Sequence, residues 1–120
     1  MSEKQDVLYP KAYSFAVSVV VAYQQICACK REYVLAKQFL RSGTSIGANI
    51  SEANGAISKA EFSAKMSIAY KECRETKYWL DLLKDTGYVD AEKHKELYLK
   101  ADELGAMLYR IIKTSRDRKQ

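Results

Sequence analysis

The fold of this chain depends on residues 41–53, RSGTSIGANISEA, because this stretch either interrupts a long helix or continues it. Its serines, threonine and glycines are weak helix formers, each costing up to about 1 kcal/mol relative to alanine, so propensity alone would place a loop here. However, a stripe of apolar and small residues stays in phase across the stretch, in alternating steps of four and three. The stripe consists of Leu35, Phe39, Ser42, Ile46, Asn49, Ala53 and Ala56. We therefore predict a single helix over residues 32–56.

The same apolar spacing predicts three further helices, over about residues 10–30, 59–86 and 90–114. A chain of 120 residues with 48% hydrophobic residues suffices for one core, so we treat residues 1–120 as a single domain. Links this short favour antiparallel neighbours. The prediction is an all-α, antiparallel, up-down-up-down four-helix bundle.

Several residues mark the ends of these helices. Pro10 suits the first turn of helix 1, and Gly87 is well placed to end helix 3 in a left-handed cap. Residues 58–61, SKAE, form a capping box at the start of helix 3, with Ile57 and Phe62 placed for a hydrophobic staple. Asp90 can cap helix 4.

Helix 1 is apolar over more of its circumference than one core face requires. Beside its core stripe runs a second stripe of apolar residues: Tyr13, Val17, Val20 and Val21. A helix of this kind is either buried centrally or in contact with another subunit.

The composition argues against a membrane protein. The longest apolar stretch, Phe15 to Tyr23, is shorter than the roughly 20 residues that cross a bilayer. The three cysteines are an odd number in a chain that needs no disulfide scaffold, which favours reduced thiols. We expect a cytoplasmic protein without a membrane-spanning helix.

Catalysis and metal binding find little support in the sequence. Cys27 and Cys29 lie two apart, roughly 200° around a helix, and cannot hold one metal ion together. The one histidine, His94, lies in a charged region, and no serine or cysteine has an obvious base partner. We expect neither an enzyme nor a cofactor.

Three residues within 41–53 have more than one interpretation: Gly43, Gly47 and Asn49. Gly43 and Gly47 stand four apart and predict close approach of another helix, since the alternative of a phosphate-binding loop would need a lysine that is missing. Asn49 lies on the core stripe and should find a partner on helix 3 or a backbone carbonyl. We favour a role for Asn49 in register or assembly over ligand contact.

A polar face of helix 2 can meet a polar face of helix 3. Two carboxylates three residues apart, Glu72 and Glu75, suit either an ion-pair network with Arg41 or acid–base or metal chemistry. We favour the ion-pair network. The two faces contain Arg41, Ser45, Ala48 and Glu52 on helix 2, and Lys65, Glu72, Glu75 and Trp79 on helix 3.

Positive charge accumulates near the C-terminus of a chain whose net charge is +5. Cations at a helix C-terminus complement the helix dipole and add solubility, and they can also contact nucleic-acid phosphates. The candidate phosphate-binding residues are Arg110, Lys113, Arg116, Arg118 and Lys119.

These motifs resemble those of a known family. Residues 41–53, followed by 61–62, 65, 68–72 and 75–80, resemble the four-helix-bundle 23S rRNA intervening-sequence proteins of bacteria. The resemblance implies a homopentamer, and a related group of accessory proteins of diversity-generating retroelements suggests nucleic-acid binding. The residues that match the family pattern are Arg41, Ser42, Ser45, Asn49, Glu52, Lys65, Glu72, Glu75 and Trp79.

Two functions follow as hypotheses. The first is a non-catalytic homo-oligomer that binds RNA or DNA through basic surfaces, the C-terminal segment included. The second is a protein–protein interaction scaffold, in which the positive charge provides only solubility. A shift of an oligonucleotide in a gel at low salt would separate them.

Overall fold

The computed structural model describes residues 3–117, with side chains described for residues 7–117. Within this range the chain forms four helices: α1 (Glu3–Lys30), α2 (Val34–Asn54), α3 (Lys59–Asp85) and α4 (Ala91–Asp117). Each helix packs against the next, and α1 also packs against α4. The result is the predicted antiparallel up-down-up-down bundle, an elongated body of 50 × 21 × 19 Å.

The stretch 41–53 is helical throughout, within α2, which confirms the prediction from the phase of the stripe. The weak helix formers are accommodated because several are buried and others bond to the preceding turn. Thr44 Oγ1 donates to the carbonyl oxygen of Leu40 at 2.8 Å, and Ser45 Oγ donates to that of Arg41 at 2.7 Å. Packing against neighbouring helices therefore overrides the local propensity for a loop.

Gly43 and Gly47 lie where α1 crosses α2. A Cβ atom on Gly43 would stand 2.8 Å from both γ carbons of Val19, and one on Gly47 would stand 3.6 Å from the carbonyl oxygen of Ala12. Val19 and Ala12 are completely buried. Gly43 thus permits the close helix approach that we predicted, and the approaching helix is α1; at Gly47 a Cβ would make only ordinary contacts.

Among the residues whose side chains are described, the buried core is apolar except for one hydroxyl pair between α2 and α3. Thr76 Oγ1 lies 3.0 Å from Ser42 Oγ, and both side chains are completely buried. Each hydroxyl also has a backbone acceptor within its own helix, the carbonyl oxygens of Glu72 and Phe39. The largest fully buried apolar side chains are Leu8, Phe15, Phe39, Ile46, Ile50, Met66, Leu80, Leu83, Leu97, Leu104 and Leu108.

Among the described residues, Asn49 forms no hydrogen bond with α3. Its Nδ2 donates to the carbonyl oxygen of Ser45 at 2.9 Å, on its own helix, so the backbone carbonyl is its partner. Inside the core, the polar contact that joins α2 to α3 is instead Ser42 with Thr76.

Two predicted helix boundaries are wrong. Helix α1 begins at Glu3, not near residue 10, so Pro10 lies inside the helix. Burial of Leu8 in the core offsets the hydrogen bond that the proline cannot donate. At the other end, α4 continues to Asp117, so the basic segment is helical through Arg116.

The caps of α3 and α4 follow the sequence more closely. The Glu61 N–H donates to Ser58 Oγ at 3.1 Å, and the Lys93 N–H donates to Asp90 Oδ1 at 2.7 Å, as expected for both N-caps. The hydrophobic staple, however, is absent. Ile57 is 94% exposed, because the link before α3 directs its side chain into solvent and away from Phe62.

Helix α3 ends in a Schellman motif around Gly87, whose φ is +85°. The Gly87 N–H donates to the carbonyl oxygen of Lys84, and the Tyr88 N–H donates to that of Leu83 at 2.8 Å. This pattern satisfies two carbonyls that would otherwise lack partners at the helix end.

Replacing Gly87 by alanine is expected to lower the free energy of unfolding by about 1 kcal/mol, because alanine is disfavoured at positive φ. No atom lies within 4 Å of the new Cβ, so the effect is one of backbone conformation alone. Urea denaturation measures it. As a control, Gly55→Ala should not destabilise the protein, since Gly55 has a φ of −99°; equal losses in both variants would contradict this explanation.

Helix α1 is longer and more apolar than we expected of a chain without a membrane-spanning segment. Residues Val7–Lys30 form a helical stretch with mean hydropathy 1.4, which by length and composition alone is enough to cross a membrane. The core helix of a bundle meets the same criteria, and α1 buries Leu8, Phe15 and Val19 against the other helices. We attribute its hydropathy to this buried face together with an apolar outer face described below.

Candidate functional site

The residues of the α2–α3 seam that resemble the family motif form an ion-pair network. Arg41 Nη1 donates to Glu72 Oε2 at 3.1 Å, and Arg41 Nη2 donates to Glu75 Oε2. Trp79 Nε1 also donates to Glu75 Oε2, at 2.9 Å. About two to three turns of helix away along the seam, Lys65 Nζ pairs with Glu52 Oε1 at 2.7 Å. The predicted pairing of Arg41 with both glutamates is thus confirmed.

This network is better suited to holding α2 against α3 than to catalysis or metal binding. Glu75 accepts hydrogen bonds from Arg41 and Trp79 at once, so much of its acceptor capacity is already used. The seam therefore fastens α2 to α3.

A groove of about 510 Å³ runs between α3 and α4 on the opposite side of α3. The small residues Gly105 and Ala106 of α4 leave space at the base of this groove. We call it the α3–α4 groove. The lining residues are Tyr70, Cys73, Arg74 and Lys77 from α3, and Asp102, Gly105, Ala106, Tyr109 and Arg110 from α4.

Cys73 lies at the base of the groove, and its thiol is unreactive. Its thiol is buried and lies 2.9 Å from the carbonyl oxygen of Ala101, to which it donates. Burial raises the pKa of this thiol to about 11, so it is neutral near pH 7 and a poor nucleophile. A Cβ on Gly105 would stand 3.4 Å from its sulfur, which shows how closely α4 approaches α3 here.

One end of the groove is closed by a charge pair. Lys77 Nζ donates to Asp102 Oδ1 at 2.7 Å, and this hydrogen bond raises the pKa of Lys77. The same ammonium lies 5.1 Å from the centre of the Tyr98 ring. Asp102, the single acidic residue of the groove lining, is therefore neutralised by a residue of the groove itself.

The other end of the groove combines aromatic rings with free cations. The rings of Tyr70 and Tyr109 are 6.1 Å apart and tilted by 47°. Arg74 and Arg110 are exposed beside them, and neither forms an ion pair with any residue that the structure describes. Guanidinium groups next to aromatic rings are the side chains that commonly contact phosphates and bases.

The predicted phosphate-binding residues are divided between this groove and the end of α4. Arg110 lines the groove, while Lys113 and Arg116 are exposed on the last turns of α4, one and two turns beyond Tyr109 on the same side. Arg118 and Lys119 lie outside the described residues. The basic segment therefore continues the groove along α4.

Sequence reasoning missed the contribution of α3. Tyr70, Arg74 and Lys77 follow the spacing of one helix face, and this spacing was visible in the sequence. It gave no indication that the face would lie opposite Tyr109, because that depends on how α3 and α4 are aligned along their axes.

A second candidate surface is the outer face of α1, which we define as Tyr9, Tyr13, Val17, Val20 and Val21. These side chains lie away from α2 and α4 and are between 36% and 60% exposed. An apolar row of this kind on one helix is typical of a surface that contacts a partner.

A model of the family described as 23S rRNA-intervening sequence protein matches residues 4–110. The fold is also similar to the crystal structure of a protein with unknown function from the S23 ribosomal protein family of Bacteroides thetaiotaomicron VPI-5482. The two chains are 44% identical with a TM-score of 0.90, over 92% of this chain and 98% of the other. No curated protein matches the chain. The α3–α4 groove falls within the matched residues, whereas Lys113, Arg116, Arg118 and Lys119 follow them.

Proposed function

This chain belongs to the family of 23S rRNA-intervening sequence proteins, and we propose that it is a non-catalytic, homo-oligomeric cytoplasmic protein that binds RNA or DNA through basic surfaces. One observation carries the nucleic-acid part of the proposal. Arg74 and Arg110 stand unpaired beside two tyrosines in the α3–α4 groove, and the cations at the end of α4 extend this positive surface.

Electrostatics supports this proposal. Unpaired arginines keep their attraction for phosphates, whereas cations in ion pairs, such as Lys77, have largely lost it. The net charge of +5 favours approach to a polyanion from any direction, and the groove with the end of α4 concentrates unpaired charge on one side.

The homo-oligomeric part of the proposal rests on the outer face of α1. Its valines and tyrosines would be covered by another copy of the chain, which removes apolar surface from water. The same face also supports the second candidate function, a protein–protein interaction scaffold without a nucleic-acid role.

Replacing the five basic residues at positions 110, 113, 116, 118 and 119 by glutamine should flatten the salt dependence of nucleic-acid binding. Each lost phosphate contact lowers the slope of log affinity against log salt by roughly 0.7 to 0.9, so the slope should fall by up to about 4. Fluorescence anisotropy of a labelled oligonucleotide at several salt concentrations measures this slope.

A matched control removes five exposed cations elsewhere: Lys30, Arg31, Lys37, Lys84 and Lys95. Both variants lose the same total charge, so a purely non-specific attraction would weaken equally in both. An unchanged slope in the first variant would exclude the end of α4 from the interface. An oligomeric protein that binds no oligonucleotide even at low salt would leave the scaffold function in its place.

A further inference from the structure

We propose that the α3–α4 groove is a site for a single nucleotide unit, in which an unstacked base lies on Tyr109 and its phosphate is held by Arg74 and Arg110. This inference rests on the proposed nucleic-acid function and makes it more specific. It assigns recognition to single strands, whereas the end of α4 supplies attraction for any phosphate backbone.

The dimensions of the groove fit this ligand. Its volume of about 510 Å³ lies within the range of roughly 300 to 1,000 Å³ that is usual for small-molecule sites. The bases of a duplex are stacked inside the helix and do not reach such a hollow, whereas an unpaired base can turn into it.

The geometry of the two tyrosines determines how a base would lie. A base held between two rings needs them roughly parallel and far enough apart to admit a third flat ring, whereas rings about 4.5 to 7 Å apart are already in contact with each other. Tyr70 and Tyr109 are 6.1 Å apart and tilted by 47°, so they cannot enclose a base between them. Tyr109 is 49% exposed whereas Tyr70 is partly buried, so we place the base on Tyr109.

The charges around the rings fit the phosphate of the same nucleotide. Arg74 on α3 and Arg110 on α4 both line the groove, so each of its walls supplies one guanidinium for the phosphate. Asp102 is the one acidic residue of the lining, and Lys77 neutralises it at the other end. The apolar hollow over Gly105 and Ala106 then lies between the phosphate end and the charge pair.

Two variants test the groove without changing any charge. Ala106→Leu fills the hollow, and Tyr109→Leu removes the stacking ring but keeps apolar bulk. Both residues are exposed, so the bundle should still fold, which circular dichroism checks. The controls are Ala64→Leu and Tyr78→Leu, at exposed positions of α3 that do not line the groove.

The probe is a fluorescein-labelled oligothymidylate of about ten nucleotides, within the usual site sizes for single strands. Loss of one stacked base should weaken binding by about tenfold in each groove variant, since stacking changes affinity by this order. The salt slope should stay as in the unmodified protein, because no phosphate contact is lost. The controls should bind the oligothymidylate within about twofold of the unmodified protein. All four variants should bind a duplex of the same length within about twofold of the unmodified protein.

A second titration, with thymidine monophosphate, shows whether the groove binds a nucleotide within a single strand or a free nucleotide. If the monophosphate binds and loses affinity in both groove variants, while the oligonucleotide binds no more tightly, the groove site stands and the nucleic-acid function fails. If the oligonucleotide binds with a steep salt slope and both groove variants match their controls, the groove site is overturned and the nucleic-acid function stands. Failure of both probes to bind overturns both.

Discussion

Replacing Val17 and Val21 by aspartate is expected to convert the proposed homo-oligomer into a monomer of 13.7 kDa. These valines are 49% and 45% exposed on the outer face of α1, so the monomer can carry aspartates there in contact with water. In an assembly that covers this face, each copy would bury two unpaired carboxylates at a cost of several kcal/mol. The association constant should therefore fall by more than 100-fold, which light scattering at micromolar concentration detects.

Ser14 and Gln25 provide the control, because both are exposed polar positions of α1 beside the outer face. The double variant Ser14→Asp, Gln25→Asp changes the net charge by the same amount and should remain assembled. Circular dichroism shows whether each variant keeps its helices. An unmodified protein that is monomeric, or a Val17, Val21 variant that stays assembled, would contradict a role for this face in self-association.

Alanine at Gly43 and at Gly47 is expected to change the free energy of unfolding in opposite directions. A Cβ on Gly43 meets both γ carbons of Val19 at 2.8 Å, and the branched valine has little freedom to move away. Overpacking costs about 1 to 3 kcal/mol, from which about 1 kcal/mol of helix propensity is recovered, so a net loss of up to about 2 kcal/mol is expected. At Gly47 the new atom makes ordinary contacts at 3.6 Å or more, so Gly47→Ala should stabilise by up to about 1 kcal/mol.

Urea denaturation of both variants at one protein concentration measures this difference, and each serves as the control for the other. The fixed concentration matters because self-association adds to the apparent stability. Equal effects at the two positions would show that α1 does not lie against Gly43 as described.

The sequence predicted the architecture because one physical signal, the phase of the apolar stripe, extends across whole helices. Residues 41–53 illustrate this, since their composition indicates a loop while the positions of Ser42, Ile46 and Asn49 indicate a helix. The phase is set by burial of many side chains, and the sum of these contributions exceeds the small propensity costs. The Arg41 pairing was predictable for the same reason, because the facing positions on α2 and α3 follow from the two stripes.

Features that depend on the relative placement of helices could not be predicted in this way. The groove requires Tyr70 and Tyr109, which lie 39 positions apart, to meet across α3 and α4. Local signals also fail where tertiary contacts decide the outcome. Pro10 lies inside α1, where burial of Leu8 offsets the hydrogen bond that the proline cannot donate, and Ile57 is left in solvent and makes no staple.

Sedimentation velocity of the unmodified protein with a fluorescein-labelled single-stranded oligonucleotide tests the central claim most directly, because it follows self-association and nucleic-acid binding together. At about 50 mM salt, the label should sediment with a species that contains several copies of the 13.7 kDa chain. At about 200 mM salt, most of the label should be released while the protein remains assembled. A label that sediments alone beside a monomeric protein at low salt would contradict the proposed function.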